Sequence, residues 1–150
     1  MVLTLNNIKD MKIRFKKLNN NAIAPKFNGV GDAGMDIYSD SDVLVEPSKV
    51  VAVPTGISME LPEGYVALVW DRSGLAIKNG IKTMGGVIDS GFRGEVKVIM
   101  TNLSDKELKL EKGSRVAQMI IQRYEVPEVE LVEDLSESER GDGGFGSSGV

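Results

Sequence analysis

Apolar and polar residues alternate along much of this chain, in short stretches broken by glycine and proline. At 12–16, Ile13 and Phe15 fall on one face of a strand. Three β-rich pieces follow at 43–45, 49–53 and 56–61, separated by Pro47, Pro54 and Pro62. An apolar run at 65–70 lies between Gly64 and Asp71, and at 95–100 Val96, Val98 and Met100 face one way. Leu108 and Leu110 alternate with Lys109, and 115–124 reads as a long, buried central strand. One helix is predicted, over 73–78, with Asp71 and Ser73 as candidate caps and Asn79-Gly80 as its stop. Many short strands at close spacing predict an all-β protein, a jelly-roll-like β-sandwich or distorted barrel.

The pattern changes after 124. Residues 125–139 carry seven acids, and 140–150 hold five of the 17 glycines, with Ser147 and Ser148. Such a segment builds no core, so a flexible glycine-rich C-terminal tail is expected at 133–150, after a β domain at 11–132 and an N-terminal extension at 1–10. The 150 residues suffice for one domain with a real core. No apolar run reaches membrane-spanning length, and the first ten residues lack the basic and apolar regions of a signal peptide. A cytoplasmic protein without a membrane partner is the expectation.

Charge and composition narrow the chemistry. A net charge of −4 gives no basic excess for nucleic acid, so none is expected as a partner. With no Cys and no His, disulfides, thiol nucleophiles, Cys/His zinc sites and imidazole catalysis are excluded. Catalysis must use Asp, Glu, Lys, Arg, Tyr, Ser or Thr, with a hard cation held by oxygens where a metal is needed.

Several stretches have the right residues. In 86–94 an apolar lead, Gly86-Val87-Ile88, runs into Asp89 and a glycine-marked turn with Phe92. It reads as a β-hairpin with a general base at its shoulder, or as a turn whose Asp accepts local N–H bonds. Arg72, Ser73 and Gly74 open the predicted helix, where a guanidinium, a hydroxyl and N–H groups suit phosphate and an ordinary capped helix fits as well. In the tail, Arg140 can pair with a terminal phosphate, Ser147 and Ser148 can donate hydroxyls, Gly146 lets the backbone approach an anion, and Phe145 can stack on a base. A plain flexible terminus is the alternative. Asp32 and Asp36 flank a turn able to engage a cation or an Arg, and Gln118 sits among apolar neighbours, where its amide needs a ligand or a core partner.

The order of these stretches resembles the five motifs of the homotrimeric all-β dUTPase family, at 32–39, 72–76, 86–94, 113–120 and 140–149. The resemblance spans about 11–149. It implies hydrolysis of dUTP to dUMP and pyrophosphate, which limits uracil incorporation into DNA and supplies dUMP for dTMP synthesis. Asp89 would be the base that activates water against the α-phosphorus. Phe92 stands where an aromatic, usually Tyr, packs under the deoxyribose. The backbone around Thr83, Gly86, Val87 and Ile88 would read uracil. Arg72, Ser73, Gly74 and Gln118 would contact phosphate, with Arg140, Phe145, Gly146, Ser147 and Ser148 closing over γ-phosphate and base. Mg²⁺ would be held by phosphates and waters, supported by Asp36 through water, and each site would be shared between subunits of a homotrimer. Asp71 departs from the Pro common at its place, and Thr83 stands where some members carry Asn.

Two rivals share this scaffold. A dCTP deaminase, or a bifunctional relative, has a similar Asp-x-Gly-Phe-x-Gly stretch, but the position of its catalytic Glu is Ile99 here, which shuttles no proton. A non-catalytic nucleotide-binding regulator would have no need of Asp89 with Arg140 and Phe145.

Overall fold

The computed structural model describes residues 11–144, so Phe145, Gly146, Ser147, Ser148 and the extension at 1–10 lie outside the described residues. The described residues form eleven strands and one helix: β1 Arg14–Lys17, β2 Met35–Tyr38, β3 Val43–Val45, β4 Val50–Pro54, β5 Ile57–Glu60, β6 Tyr65–Trp70, α1 Ser73–Asn79, β7 Ile81–Met84, β8 Val87–Ile88, β9 Lys97–Asn102, β10 Leu108–Leu110 and β11 Arg115–Arg123. This is the expected all-β fold with one short helix. All ladders are antiparallel, and they assemble four small sheets with strand orders β2-β11-β6-β8, β4-β9-β7, β1-β5 and β10-β3.

Alternation puts one face of each strand into a shared core. Val98, Met100 and Asn102 of β9 point inward and are fully buried, while Lys97 and Ile99 point out. β9 begins two residues later than the apolar pattern does, because Val96 is buried without joining a ladder: its N–H donates to Ile57 O at 2.8 Å. Asn102 is tolerated in the core because its amide donates to Val45 O and Lys106 O. β11 is the central strand expected, lying between β2 and β6.

A register shift between Arg115 and Ala117 breaks the pairing of β11 with β2. In a flat strand, residues three apart face opposite sides. The extra residue at Val116, itself buried, brings Arg115 and Gln118 to the same side.

Two local expectations are corrected. Asp71 and Ser73 do not cap α1: its N-cap is Arg72, with no side-chain cap bond, since the Asp71 carboxylate turns to Lys82 and Thr83 instead. The helix does stop at Gly80, whose left-handed backbone (φ 65°) lets its N–H reach Ala76 O. Residues 86–94 are not a self-paired hairpin. β8 pairs with β6 and β9 pairs with β4 and β7, leaving Asp89–Phe92 as a turn closed by Phe92 N–H on Asp89 O at 3.1 Å. After β11, Tyr124 N–H donates to Gly64 O, and residues 125–142 are exposed.

Candidate functional site

Two clefts gather the candidate residues. The first, about 290 Å³, is polar and is lined by Asn28, Asp32, Gly34, Asp36, Arg72, Ser73, Gly74, Arg115 and Gln118. Three of the singled-out stretches therefore meet there: the turn before β2, the start of α1 and the bulged start of β11. Asp36 is its electrostatic centre. Its two oxygens pair with Arg72 Nε and Arg115 Nη1, each at 3.3 Å, and Arg72 Nη1 also donates to Arg115 O at 3.2 Å. The two guanidiniums are thereby fixed with donors left over for a further anion. Tyr38, next on the same face of β2, has its phenol pushed up, first by burial and then by the Asp36 carboxylate. Gln118 Nε2 donates to Asp71 O at 2.8 Å, so the amide serves a core partner while lining the cleft. Gly34 is needed beside it: a Cβ there would stand 2.6 Å from Gln118 Oε1.

The second cleft, about 280 Å³, is more apolar. Gly86, Val87, Ile88, Asp89, Phe92, Glu95, Lys97 and Ile99 form it. Glu95 is tied by Gly56 N–H at 3.0 Å and by Lys97 Nζ at 3.6 Å. Asp89 is exposed, and its carboxylate accepts no hydrogen bond among the described residues. Phe92 is 44% exposed, so its ring is available to a ligand in this cleft. Thr83 does not reach this wall. It is buried, and both its N–H and its hydroxyl donate to Asp71 Oδ1.

Among the described residues none belongs to both clefts. β2 and β8 lie at opposite edges of the four-stranded sheet, three strand spacings or about 14 Å apart. Each cleft falls below the size that usually encloses a drug-sized ligand, so each suits part of a larger molecule. Arg140, exposed, has its guanidinium Nε on Gly143 O at 2.7 Å and joins neither cleft.

A model of the dUTPase family matches residues 20–149. The chain belongs to the dUTPase family. A deoxyuridine 5′-triphosphate nucleotidohydrolase of Hydrogenobaculum is 49% identical, over 93% of this chain and 99% of that protein. One of Clostridioides difficile is 45% identical, over 91% and 97%. Among solved structures, a variant of the dUTPase of Staphylococcus bacteriophage 80alpha with dUpNHpp superposes with a TM-score of 0.87 at 33% identity, covering 93% of this chain and 99% of that one. A variant of the dUTPase from phage phi11 of S. aureus, described with a structural Mg(II) ion, has a TM-score of 0.78 at 26% identity.

In this dUTPase chain, sequence reasoning missed Arg115 as the second partner of Asp36, and Asn28, Glu95 and Lys97 as lining groups. Arg115 carried a signal, three residues before Gln118. The others carried none, since their contacts form only in the fold. Asp71 was misplaced as a cap. Burial alone would raise its carboxyl, but the bonds from Lys82 and from the Thr83 N–H and hydroxyl outweigh that and hold it below its ordinary 3.8. A lowered folded pKa contributes stability above the ordinary value that is lost as pH falls through the folded one. The thermal midpoint should therefore drop on acidification below about pH 4, and drop less in Asp71→Asn. Calorimetry of both proteins at about pH 6 and about pH 3 checks this; equal drops would contradict it.

Proposed function

We propose that this dUTPase hydrolyses dUTP to dUMP and pyrophosphate, with Asp89 as the base. The observation that carries the mechanism is the pair of clefts: a cation-lined polar one suited to phosphates, and an apolar one suited to a base and sugar, with a carboxylate at its edge that accepts no hydrogen bond among the described residues. Asp89 accepts a proton from a water whose oxygen attacks the α-phosphorus. The bond from that phosphorus to the α,β-bridging oxygen breaks, and pyrophosphate leaves. Such a step needs positioning and charge neutralisation rather than a covalent intermediate.

Magnesium fits this donor set only as a passenger of the substrate. Among the described residues no group of three or more His, Cys, Asp or Glu could cage a metal ion. Asp36 and Asp32 border the phosphate cleft and could steady the waters of such an ion. When bound, Mg²⁺ would neutralise phosphate charge. Arg72, Arg115, Ser73 and Gln118 orient the phosphates, while Val87, Ile88, Phe92 and Ile99 wall the base and sugar. Release of pyrophosphate from dUTP, with dCTP and ammonia release as controls, tests the reading; ammonia from dCTP would instead favour a deaminase. Ile99 offers that reaction no proton carrier, and Glu95 in the same cleft is tied to Gly56 and Lys97.

Phe92 supports sugar selection by shape. Its ring has no hydroxyl, so rejection of UTP rests on filling the space a 2′-hydroxyl needs. Phe92→Ala should raise kcat/KM for UTP relative to dUTP by about tenfold or more, and Phe92→Tyr should change the ratio little. Unchanged discrimination in Phe92→Ala would place sugar reading elsewhere.

The separation of the clefts supports shared sites. A nucleotide spanning both would meet the phosphate cleft of one protomer and the Asp89 cleft of another, in a closed ring of three copies. Light scattering should give a trimer, and an active monomer would rule this out. No helix among the described residues is long and apolar enough to cross a membrane, and a cytoplasmic nucleotide pool is the proposed setting.

A further inference from the structure

We propose that Asp71 is a positioning residue that holds the phosphate cleft and the base cleft of one protomer in register, and so links two neighbouring active sites. The second half of that statement rests on the shared-site trimer above.

Asp71 stands between the end of β6 and the N-cap of α1. Its main chain belongs to the phosphate side: its carbonyl accepts Gln118 Nε2 at 2.8 Å, and the next residues, Arg72, Ser73 and Gly74, line that cleft. Its side chain belongs to the other side. Oδ1 accepts Thr83 N–H at 2.5 Å and the Thr83 hydroxyl at 2.7 Å, and Oδ2 accepts Lys82 Nζ at 2.6 Å. Thr83 lies in β7, which runs through Gly85 and Gly86 directly into β8 and Asp89. One residue thus joins the strand feeding the catalytic carboxylate to the turn holding the phosphate donors.

A carboxylate is required there. Three donors converge on two oxygens, and the side chain is only 25% exposed, so water replaces these bonds poorly. An amide would offer one acceptor and turn an NH₂ group against either Thr83 or Lys82. An ordinary helix cap does not account for the residue, because α1 has no side-chain cap bond. Since the two clefts share no lining residue, a shift at Asp71 reaches one site through its phosphate donors and the next through its base wall.

The test begins with the full-length Asp71→Asn protein. Calorimetric titration with pyrophosphate reads the phosphate cleft, and titration with dUMP reads chiefly the base cleft. Both should weaken, each by about tenfold, as for loss of a charge-assisted bond. Thr83→Val, which removes only the hydroxyl, should weaken dUMP more than pyrophosphate, and Thr83→Ser should restore dUMP binding. A lowered Tm with both affinities unchanged would overturn the proposal; so would weakening of one ligand alone in Asp71→Asn. If that variant does not fold, unchanged dUMP affinity in Thr83→Val overturns it instead. Trimers assembled from one tagged Asp71→Asn protomer and two wild-type protomers then read the linkage. Below KM they should keep about two fifths of wild-type activity, because two of three sites are impaired about tenfold. About seven tenths would mean one impaired site and would end the linkage. Failure of the trimer itself shows separately, in the light scattering of the wild-type protein, and leaves the two titrations intact.

Discussion

Replacing Asp89 by Asn should leave dUMP and a non-hydrolysable dUTP analogue bound about as well as before, while turnover falls by about 10²–10⁴. The substitution keeps the shape of the side chain and removes its basicity. Asp89 is exposed and accepts no hydrogen bond among the described residues, so neither fold nor cleft depends on its charge. Glu95, the other acid in that cleft, is bonded to Gly56 and Lys97 and is poorly placed to substitute for it. Single-turnover kinetics separate the chemical step from binding. A variant turning over within a few-fold of wild type would move the base elsewhere. A variant that lost the analogue with turnover would make Asp89 a binding residue instead.

Gly86→Ala should be the most damaging single-methyl change near the site. Gly86 has φ 93°, and a Cβ there would lie 2.8 Å from Val69 O. The same residue's carbonyl accepts Val69 N–H at 2.8 Å, so the backbone cannot withdraw without breaking that bond. Left-handed strain and a backbone clash together should cost about 1–3 kcal/mol and lower Tm by several degrees. The base cleft should lose dUMP affinity with it, because Gly86 leads into its wall. Gly85→Ala is the control. Its φ is also positive, at 64°, but a Cβ there meets nothing closer than Ile99 Cδ1 at 3.9 Å. It should lose about 1 kcal/mol from strain alone. Equal Tm values for the two variants would show that the approach to Val69 does not matter.

These effects also mark how far the amino-acid sequence can be read. Val43–Val45 and Tyr65–Trp70 emerge with the bounds the pattern predicts, because each is a compact apolar block between turn residues. The inward set Val96, Val98 and Met100 is legible for the same reason. So is the stop of α1 at Gly80, where a left-handed backbone favours glycine. Pairing partners are not legible. The apolar pair Val87-Ile88 marks a strand but does not say that β6, rather than β9, lies beside it. Asp71 shows the same limit. Placed before a helix it looks like a cap, yet its partners are 11 and 12 residues away on β7, brought back by the turn at Gly80. Most of the candidates among the described residues line one of the two clefts. Their division between two clefts was not visible, because that is a property of sheet order.

The bulge at Val116 has a consequence for chain length. Every residue of β11 before it has the opposite parity to every residue after it, relative to β2. Deleting Val116 would set Arg115 two residues before Gln118, so an unbulged ladder would still hold both side chains on the Asp36 side. Substitutions within β11 act on one side chain at a time. A single-residue deletion elsewhere in β11 acts on the strand as a switch, turning every side chain on one side of the cut to the other face, whereas a deletion at Val116 irons the ladder flat and leaves the Arg115 guanidinium beside Asp36.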